Sequence, residues 1–226
     1  MKSQCVIPAR GGSKRIPRKN IKIFHGKPLI AWSIEAAQTS GLFEDVYVST
    51  DDEEIADIAA IYGAKIPFLR PASISNDFAV DQEVRDHFIG WMKKSMIEAD
   101  TLCYLYPTAP FIQCKTLVEC QKLLIDTRAA CAHTVTKYAY PVLRSLKRDS
   151  NGLLSFMWDE YSRSRSQDLP ELLHDAGQCY FYDLRKYGNE ETRVGYEIPR
   201  LWCQDIDTIE DFEIAEKLFS LAKLDR

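Results

Sequence analysis

A short segment near the start of the chain, from Ile7 to Asn20, concentrates basic side chains that could bind an anion. The ten residues from Arg10 to Lys19 include five arginines or lysines and no acid. The whole chain is acidic, with 29 basic and 33 acidic residues, so this local charge favours one anionic ligand over a polyanion. Two adjacent glycines remove side chains where backbone amides could approach phosphate oxygens. The segment therefore predicts a phosphate-binding loop.

Two general phosphate motifs are absent from this segment. It contains neither Gly-x-x-x-x-Gly-Lys-Ser/Thr nor Gly-x-Gly-x-x-Gly. On composition alone, a solvated basic loop is an open alternative. A nucleic-acid-binding patch is disfavoured because the net charge is −4 and no basic stripe recurs. We therefore expect no nucleic-acid partner.

A pair of aspartates near the end of the chain could bind a metal ion. Asp205 and Asp207 are separated by one residue, so in extended backbone their side chains point the same way. Paired carboxylates beside a triphosphate suit Mg²⁺, which prefers hard oxygen ligands. The alternative is that Asp207 caps the helix expected from Thr208. Another pair of acids, Asp51 and Asp52, is expected to begin a helix instead.

The second half of the chain contains two segments rich in functional groups, residues 164–169 and 174–181. Arg165 could bind a carboxylate through its two-pronged guanidinium, or it could form a surface salt bridge with Asp168.

The elements that must position these residues alternate between strands and helices, which predicts a mostly parallel α/β sheet with helices on both faces. Strands are expected at Gln4–Pro8, Asp45–Ser49, Lys65–Leu69, Thr101–Tyr106 and Gln178–Tyr182. Helices are expected at Pro28–Ser40, Asp52–Tyr62, Val80–Ser95, Lys115–Asp126 and Thr208–Lys223.

The alternation breaks after about Val135. Residues 137–176 carry polar, aromatic and proline-containing segments without a clear strand–helix unit. We therefore expect residues 1–226 to form a single α/β domain with an inserted element at about 137–176.

Composition narrows the class of protein. No apolar stretch approaches the roughly 20 residues that cross a bilayer, and the N-terminus has no signal-like apolar region, so no membrane partner is expected. The seven cysteines are odd in number and none form Cys-x-x-Cys, which favours reduced thiols in a cytoplasmic protein. The four histidines are scattered, which disfavours a zinc site.

The cationic segment resembles a known family. Its sequence Ala-Arg-Gly-Gly-Ser-Lys-Arg-Ile-Pro-Arg-Lys-Asn, residues 9–20, is similar to the nucleotide-binding motif of the CMP-sugar synthetases, cytidylyltransferases that activate sialic acid-like sugars. The resemblance implies a nucleotide-diphospho-sugar transferase-like (Rossmann-like) fold and a homodimer, with the insertion as a small dimerisation element. The similarity continues in order through Gly26–Ile30, Ser49–Asp51, Phe68–Pro71, Pro107–Pro110 and Asp205–Thr208.

The resemblance also implies a reaction and its residues. The anomeric hydroxyl of a nonulosonic acid would attack the α-phosphate of CTP and release pyrophosphate, with Mg²⁺ as cofactor. Catalytic roles fall on Arg10, Lys19, Asp205 and Asp207, of which the two aspartates would hold the metal. Nucleotide binding falls on Ala9, Arg10, Gly11, Gly12, Ser13, Lys14, Lys19, Asn20, Arg70 and Asp77. Sugar binding falls on Tyr106, Arg165, Gln167, Asp168, Asp175 and Gln178.

Two motifs indicate the sugar. Arg-Ser-Gln-Asp-Leu at 165–169 and His-Asp-Ala-Gly at 174–177 resemble the branch of the family that activates pseudaminic acid. Tyr106 stands where the sialic acid branch carries a glutamine. We therefore expect pseudaminic acid as the acceptor, with N-acetylneuraminic, legionaminic or another keto-sugar acid as the alternative. A non-catalytic nucleotide-binding module is the alternative from a different class.

Overall fold

The computed structural model describes residues 1–189 and 191–222, in which ten strands and five α-helices are found. The strands are β1 Ser3–Pro8, β2 Ile23–Phe24, β3 Lys27–Pro28, β4 Val46–Ser49, β5 Thr101–Leu105, β6 Cys131–Lys137, β7 Leu146–Arg148, β8 Leu154–Phe156, β9 Leu173–Asp183 and β10 Arg193–Glu197. The helices are α1 Leu29–Thr39, α2 Glu53–Ile61, α3 Asp81–Lys94, α4 Cys114–Thr127 and α5 Ile209–Leu221.

Six strands form the central sheet in the order β10-β6-β9-β5-β1-β4. The neighbours are parallel except for β9, which runs antiparallel to both β5 and β6. Successive residues of β1 point to opposite faces, and both faces are covered. Ile7 packs in a core with residues of α1, α2 and α4, whereas Val6 packs with residues of α3. This confirms the predicted α/β fold with a mostly parallel sheet.

The predicted helices all exist, with small shifts at their ends. Asp52 is the N-cap of α2, where its side chain accepts from the Ile55 amide at 3.0 Å, so its predicted place at the start of a helix is confirmed. The last predicted helix forms as α5. Its expected final residue, Lys223, lies outside the described residues.

Two strand predictions need correction, and two strands of the central sheet were not predicted. Lys65–Leu69 does not form a strand. Lys65 forms an isolated bridge to Tyr47 in β4, and Leu69 forms another to Thr50 just after β4. Pro67, between them, lacks the amide that a continuous ladder requires. Gln178–Tyr182 is part of the longer β9. Strands β6 and β10 were not predicted, and β6 supplies one of the two antiparallel neighbours of β9.

The segment between β6 and β9 contains no helix–strand unit among its described residues. It forms the β7–β8 hairpin and three short 3-10 turns. Several large apolar side chains along it are exposed, including Tyr140 and Leu153. Its role as a dimerisation element stays a prediction. In the described ranges no helix is long and apolar enough to cross a membrane.

Candidate active site

A cavity of about 650 Å³ opens at the carboxyl ends of β1 and β5. In parallel sheets the loops that follow the strands meet at this edge, which is where ligands bind in open α/β folds. The cavity collects most of the predicted site. Its lining includes Arg10, Ser13, Lys14, Lys19, Asn20, Arg70, Asp77, Tyr106, Asp205 and Asp207, together with Arg15, Asp81 and Tyr104, which were not predicted.

The cationic loop, residues 9–20, is brought to the aspartate pair by a shared apolar cluster. Ile16 in the loop and Ile206 between the aspartates are both buried, and they belong to one cluster with Phe24 and Phe212. Burying Ile206 turns Asp205 and Asp207, its neighbours in extended backbone, toward the cavity. Two segments nearly 190 residues apart thus form one site.

Backbone hydrogen bonds fix the shape of the loop. The Ala9 amide donates to the Ser49 carbonyl at 2.9 Å, and the Asn20 side-chain amide donates to the Arg10 carbonyl at 3.0 Å. Asn20 is buried, so in this chain it fastens the loop while one side borders the cavity. The Gly11 amide donates to Asp51 Oδ1 at 3.0 Å.

The two glycines of the loop have different surroundings. A Cβ on Gly11 would lie 2.4 Å from Asp52 Oδ2, so Gly11 is required by the carboxylate packed behind it. A Cβ on Gly12 would meet nothing within 4 Å. Open space at Gly12 leaves its backbone accessible to a ligand. Ala9, Gly11 and Gly12 do not themselves line the cavity.

Asp77 pairs with the first two cations of the loop. Its carboxylate lies 2.7 Å from Arg10 Nη1 and 2.5 Å from Lys14 Nζ. Hydrogen bonds from Lys14 and then Arg10 lower the pKa of Asp77. Asp77 therefore acts as the counter-ion of these cations.

Asp207 pairs with Arg15 and Lys19, the other two cations of the loop that line the cavity. Arg15 Nη2 lies 2.8 Å and Lys19 Nζ 3.3 Å from its carboxylate oxygens, and Lys19 also donates to the Ile206 carbonyl at 2.5 Å. The N-cap of α5 is Thr208, which accepts from the Asp211 amide. The capping alternative for Asp207 is therefore wrong.

The aspartate pair offers carboxylate oxygens, which are ligands that Mg²⁺ prefers. Burial in the cavity wall, followed by the charge of Asp207, raises the pKa of Asp205, and Lys19 opposes this shift. Bringing a divalent cation between the two carboxylates would relieve that repulsion. In the described part of the chain no third His, Cys, Asp or Glu joins them. The pair thus fits Mg²⁺, which commonly uses one or two carboxylates and completes its shell with water and phosphate oxygens.

Arg70 and Arg18 pair with the acids that follow β4 and begin α2. Arg70 is 3 % exposed in its side chain, donates to Ser75 Oγ at 3.0 Å and lies 3.8 Å from Asp51, and its burial lowers its pKa. Arg18 has a left-handed backbone, with φ of 57°, and forms ion pairs with Asp52 and Glu54 at the start of α2. Arg70 borders the cavity, whereas Arg18 does not.

Opposite the loop the cavity is bounded by a tyrosine wall, which we define as Asp81, Tyr104 and Tyr106. Tyr104 Oη donates to Asp81 Oδ1 at 2.9 Å, and Tyr106 Oη donates to Asp81 Oδ2. Sequence reasoning found Tyr106 and missed the other two. Tyr104 and Tyr106 are two residues apart at the end of β5. In a strand this spacing places both side chains on one face, and it is the signal in the sequence that would have identified Tyr104.

The predicted sugar-binding residues of the second half lie outside this cavity in the single chain. Arg165 pairs with Asp168 at 2.7 and 3.1 Å in an exposed segment. Gln167 borders a second cavity of about 450 Å³, formed by residues 137–143 and 166–172.

The other two residues of this group, Asp175 and Gln178, lie in β9. Asp175 accepts from the Gly177 amide and from Tyr180 Oη, both at 2.8 Å. The Gln178 side chain is buried and donates to the Trp202 carbonyl, close to the aspartate pair in the chain. The roles of Arg165, Gln167, Asp168, Asp175 and Gln178 in sugar binding stay predictions.

Comparison with known proteins agrees with this geometry. The sequence matches the family described as Cytidylyltransferase over residues 4–220. It is 39 % identical to the pseudaminic acid cytidylyltransferase of Campylobacter jejuni subsp. jejuni serotype O:2, over 98 % of this chain and 97 % of that protein. It is 32 % identical to the N-acylneuraminate cytidylyltransferase of Escherichia coli O18:K1:H7, over 93 % of this chain and 50 % of that protein.

A solved structure shares the fold. The structure of CMP:2-keto-3-deoxy-manno-octonic acid synthetase complexed with CTP aligns with a TM-score of 0.69, over 98 % of this chain and 99 % of that one, at 22 % identity. The nucleotidyltransferase-like fold follows from that alignment, and the family follows from the sequence matches. The chain belongs to the cytidylyltransferase family.

Proposed function

We propose that this protein transfers CMP from CTP to the anomeric hydroxyl of a nonulosonic acid, giving a CMP-sugar and pyrophosphate. The observation that carries the proposal is the single cavity that unites the cationic loop with the Asp205–Asp207 pair. The similarity to two sugar-acid cytidylyltransferases supports the same reaction.

The residues of the cavity would act by positioning and charge neutralisation, because phosphoryl-type transfer needs little covalent help from a protein. Arg10 and Lys14 would exchange the Asp77 carboxylate for phosphate oxygens, and Lys19 would neutralise charge that develops toward pyrophosphate. Asn20 and Arg70 would hold the nucleoside side. No covalent intermediate with the enzyme is required.

Magnesium is part of the proposal. Asp205 and Asp207 would hold the ion, which would supply positive charge at the phosphates when it is bound. Arg15 and Lys19 pair with Asp207 and keep that carboxylate close to the loop.

We propose pseudaminic acid as the acceptor. The 39 % identity to a pseudaminic acid cytidylyltransferase over nearly the whole of both chains supports this choice. The segments 165–169 and 174–177 support it too, because they resemble that branch. N-acetylneuraminic, legionaminic or another keto-sugar acid is the alternative acceptor.

We also propose that the protein works as a homodimer in the cytoplasm. Exposed apolar side chains on residues 137–172, among them Tyr140 and Leu153, are suited to contact a second copy. Such a copy could bring Arg165 to a carboxylate in the neighbouring cavity. The odd number of cysteines and the lack of a Cys-x-x-Cys motif support a reducing compartment.

Pyrophosphate release tests the proposed reaction. The protein would be incubated with Mg²⁺, one nucleoside triphosphate (CTP, ATP, GTP or UTP) and one member of a panel of nonulosonic acids. We expect release with CTP, fastest with pseudaminic acid. Release with another sugar acid but not with pseudaminic acid would show that the other acid is the acceptor. Tight CTP binding without release for any acid would favour a non-catalytic module.

A further inference from the structure

The hydrogen-bonding roles of the tyrosine wall are fixed by one carboxylate. Tyr104 and Tyr106 both donate to Asp81, one to each of its oxygens. A phenol has a single hydrogen to donate and two lone pairs that accept. Each of these phenols has committed its hydrogen, so the capacity that remains on it is to accept.

These roles are held firmly. Burial, followed by the charge of Asp81, raises the pKa of Tyr104 and of Tyr106, so both phenols stay protonated at neutral pH. Tyr104 is fully buried. The backbone of Tyr106 is fixed on both sides, because its amide donates to the Gln178 carbonyl and its carbonyl accepts from Ser33 Oγ, both at 2.8 Å.

A third phenol next to the wall is arranged in the same way. Tyr180 Oη donates to Asp175 at 2.8 Å, and the rings of Tyr106 and Tyr180 lie 5.6 Å apart. All three phenol hydrogens are thus directed at carboxylates. Asp81 and Tyr106 both line the cavity, and the hydrogen-bonding capacity that remains on their oxygens is to accept.

We infer that Asp81 is a positioning residue that turns this wall into a hydrogen-bond acceptor surface, which selects a ligand group bearing N–H or O–H. The inference rests on the proposed function, whose two substrates both carry such groups. They are the 4-amino group of cytosine on one side and the amide and hydroxyl groups of the sugar acid on the other. A carbonyl at the same place would face only lone pairs and would stay unpaired, which disfavours its binding.

Asp81→Asn tests the inference by changing the polarity of the wall. The new side-chain amide can donate to one phenol oxygen, and the hydrogen of that phenol then becomes free to face the cavity. Calorimetric titration with CMP, UMP and pseudaminic acid would follow the change without depending on turnover. UMP has a carbonyl where CMP has the amino group.

Two results support the inference and identify the donor. If the wall contacts the amino group of cytosine, the variant should bind CMP about tenfold more weakly and UMP more tightly. The Kd for the sugar acid should stay unchanged. If the wall reads the sugar, its Kd should rise about tenfold while the CMP and UMP values stay constant. Asp81→Glu keeps the carboxylate and should recover part of the loss in either case.

Tyr106→Phe keeps the inference testable if the Asp81 variant unfolds. It removes the accepting oxygen but keeps the ring, so the affinity of the donor-bearing ligand should fall about tenfold. Tyr62→Phe, at a half-buried tyrosine that follows α2 and lies outside the cavity, is the matched control. If Tyr106→Phe keeps the wild-type melting temperature and all three Kd values stay within about twofold, the inference is overturned. Lack of pyrophosphate release by the wild type would instead refute the proposed function.

Discussion

The cationic loop and the tyrosine wall face the same cavity but are built from different interactions. In the loop, Arg10 and Lys14 share one partly exposed carboxylate, Asp77. In the wall, a carboxylate receives two neutral phenols, of which Tyr104 is fully buried. The loop therefore holds its charges in pairs that an incoming anion can replace, whereas the wall holds fixed hydrogen-bond directions. The first arrangement suits the binding of phosphate. The second suits the selection of one ligand over a similar one that differs in its polar groups.

The two sides should also differ in their response to salt. Exposed ion pairs and phosphate binding are both screened by added ions, whereas hydrogen bonds between neutral phenols and a carboxylate inside the wall are screened much less. Variants on the loop should change the salt dependence of CTP binding, and variants on the wall should leave it unchanged.

The largest expected effect lies where the loop meets the aspartate pair. Asp205→Asn or Asp207→Asn should lower Mg²⁺-dependent turnover by at least about a hundredfold. Each variant removes a carboxylate that would hold the metal ion, and the negative charge of the phosphates would then lose the positive charge that stabilises it. Thermal unfolding should be little changed, since Asp207 is not the helix cap. Pyrophosphate release and differential scanning fluorimetry would measure the two quantities.

Thr208→Ala is the matched control for these variants. Losing the cap of α5 should reduce the free energy of unfolding by about 1 kcal/mol and leave turnover close to the wild-type value. Normal Mg²⁺-dependent turnover in either aspartate variant would remove the metal assignment.

A second prediction concerns the shape of the loop, which depends on the close packing of Gly11 against Asp52. Gly11→Ala would place a Cβ 2.4 Å from Asp52 Oδ2, so the loop must shift and CTP should bind about tenfold more weakly or worse. Calorimetric titration with CTP would measure this. Gly12→Ala is the control, because its Cβ has open space and folding should be unaffected.

The Gly12→Ala variant also tests whether a phosphate approaches the backbone at this position. A folded Gly12→Ala protein with weakened CTP binding would indicate that a phosphate approaches this backbone closely. Unchanged affinity in the Gly11 variant would show that the packing against Asp52 does not set the shape of the site.

A third prediction asks how far the acceptor side extends beyond the tyrosine wall. Arg165→Ala should raise the KM for the sugar acid about tenfold and change the KM for CTP much less, because the guanidinium would bind a sugar carboxylate in a dimer. Steady-state kinetics with each substrate varied in turn would show the difference. Arg163→Ala, at an exposed arginine in the same segment, is the control.

Equal changes in both KM values would move Arg165 out of the acceptor site. Its ion pair with Asp168 would then be a surface contact, as it is in the single chain.

The sheet was predictable to the extent that apolar runs alternated with helical patterns. Strands β1, β4 and β5 and all five helices follow from that pattern. Strand β6 did not, because Cys131–Lys137 mixes small and polar residues that are nevertheless buried between neighbouring strands. The proposed strand at Lys65–Leu69 failed because Pro67 interrupts its ladder.

The site was predictable only in its separate pieces. The cationic loop and the aspartate pair are local patterns, and each was read from neighbouring residues. The pairing of Arg10 with Asp77 spans 67 residues, and that of Tyr106 with Asp81 spans 25. Such contacts depend on where the chain returns in three dimensions, so Asp81 carried no local signal and Asp77 was expected to contact the nucleotide directly.

The smallest predicted effect tests whether the loop exchanges its counter-ion. Asp77→Asn removes an internal competitor for Arg10 and Lys14, so CTP should bind about three- to fivefold more tightly, with a larger gain for CTP than for CMP. Because the pKa of Asp77 is lowered, its charge is lost only below the ordinary carboxyl range, and the gain should be equal at about pH 6 and about pH 8. Asp126→Asn, at the exposed end of α4, should change nothing. Weaker binding of both CTP and cytidine would instead indicate that Asp77 contacts the nucleoside directly. The loop would then hold a fixed contact, as the tyrosine wall does, and not an ion pair that phosphate replaces.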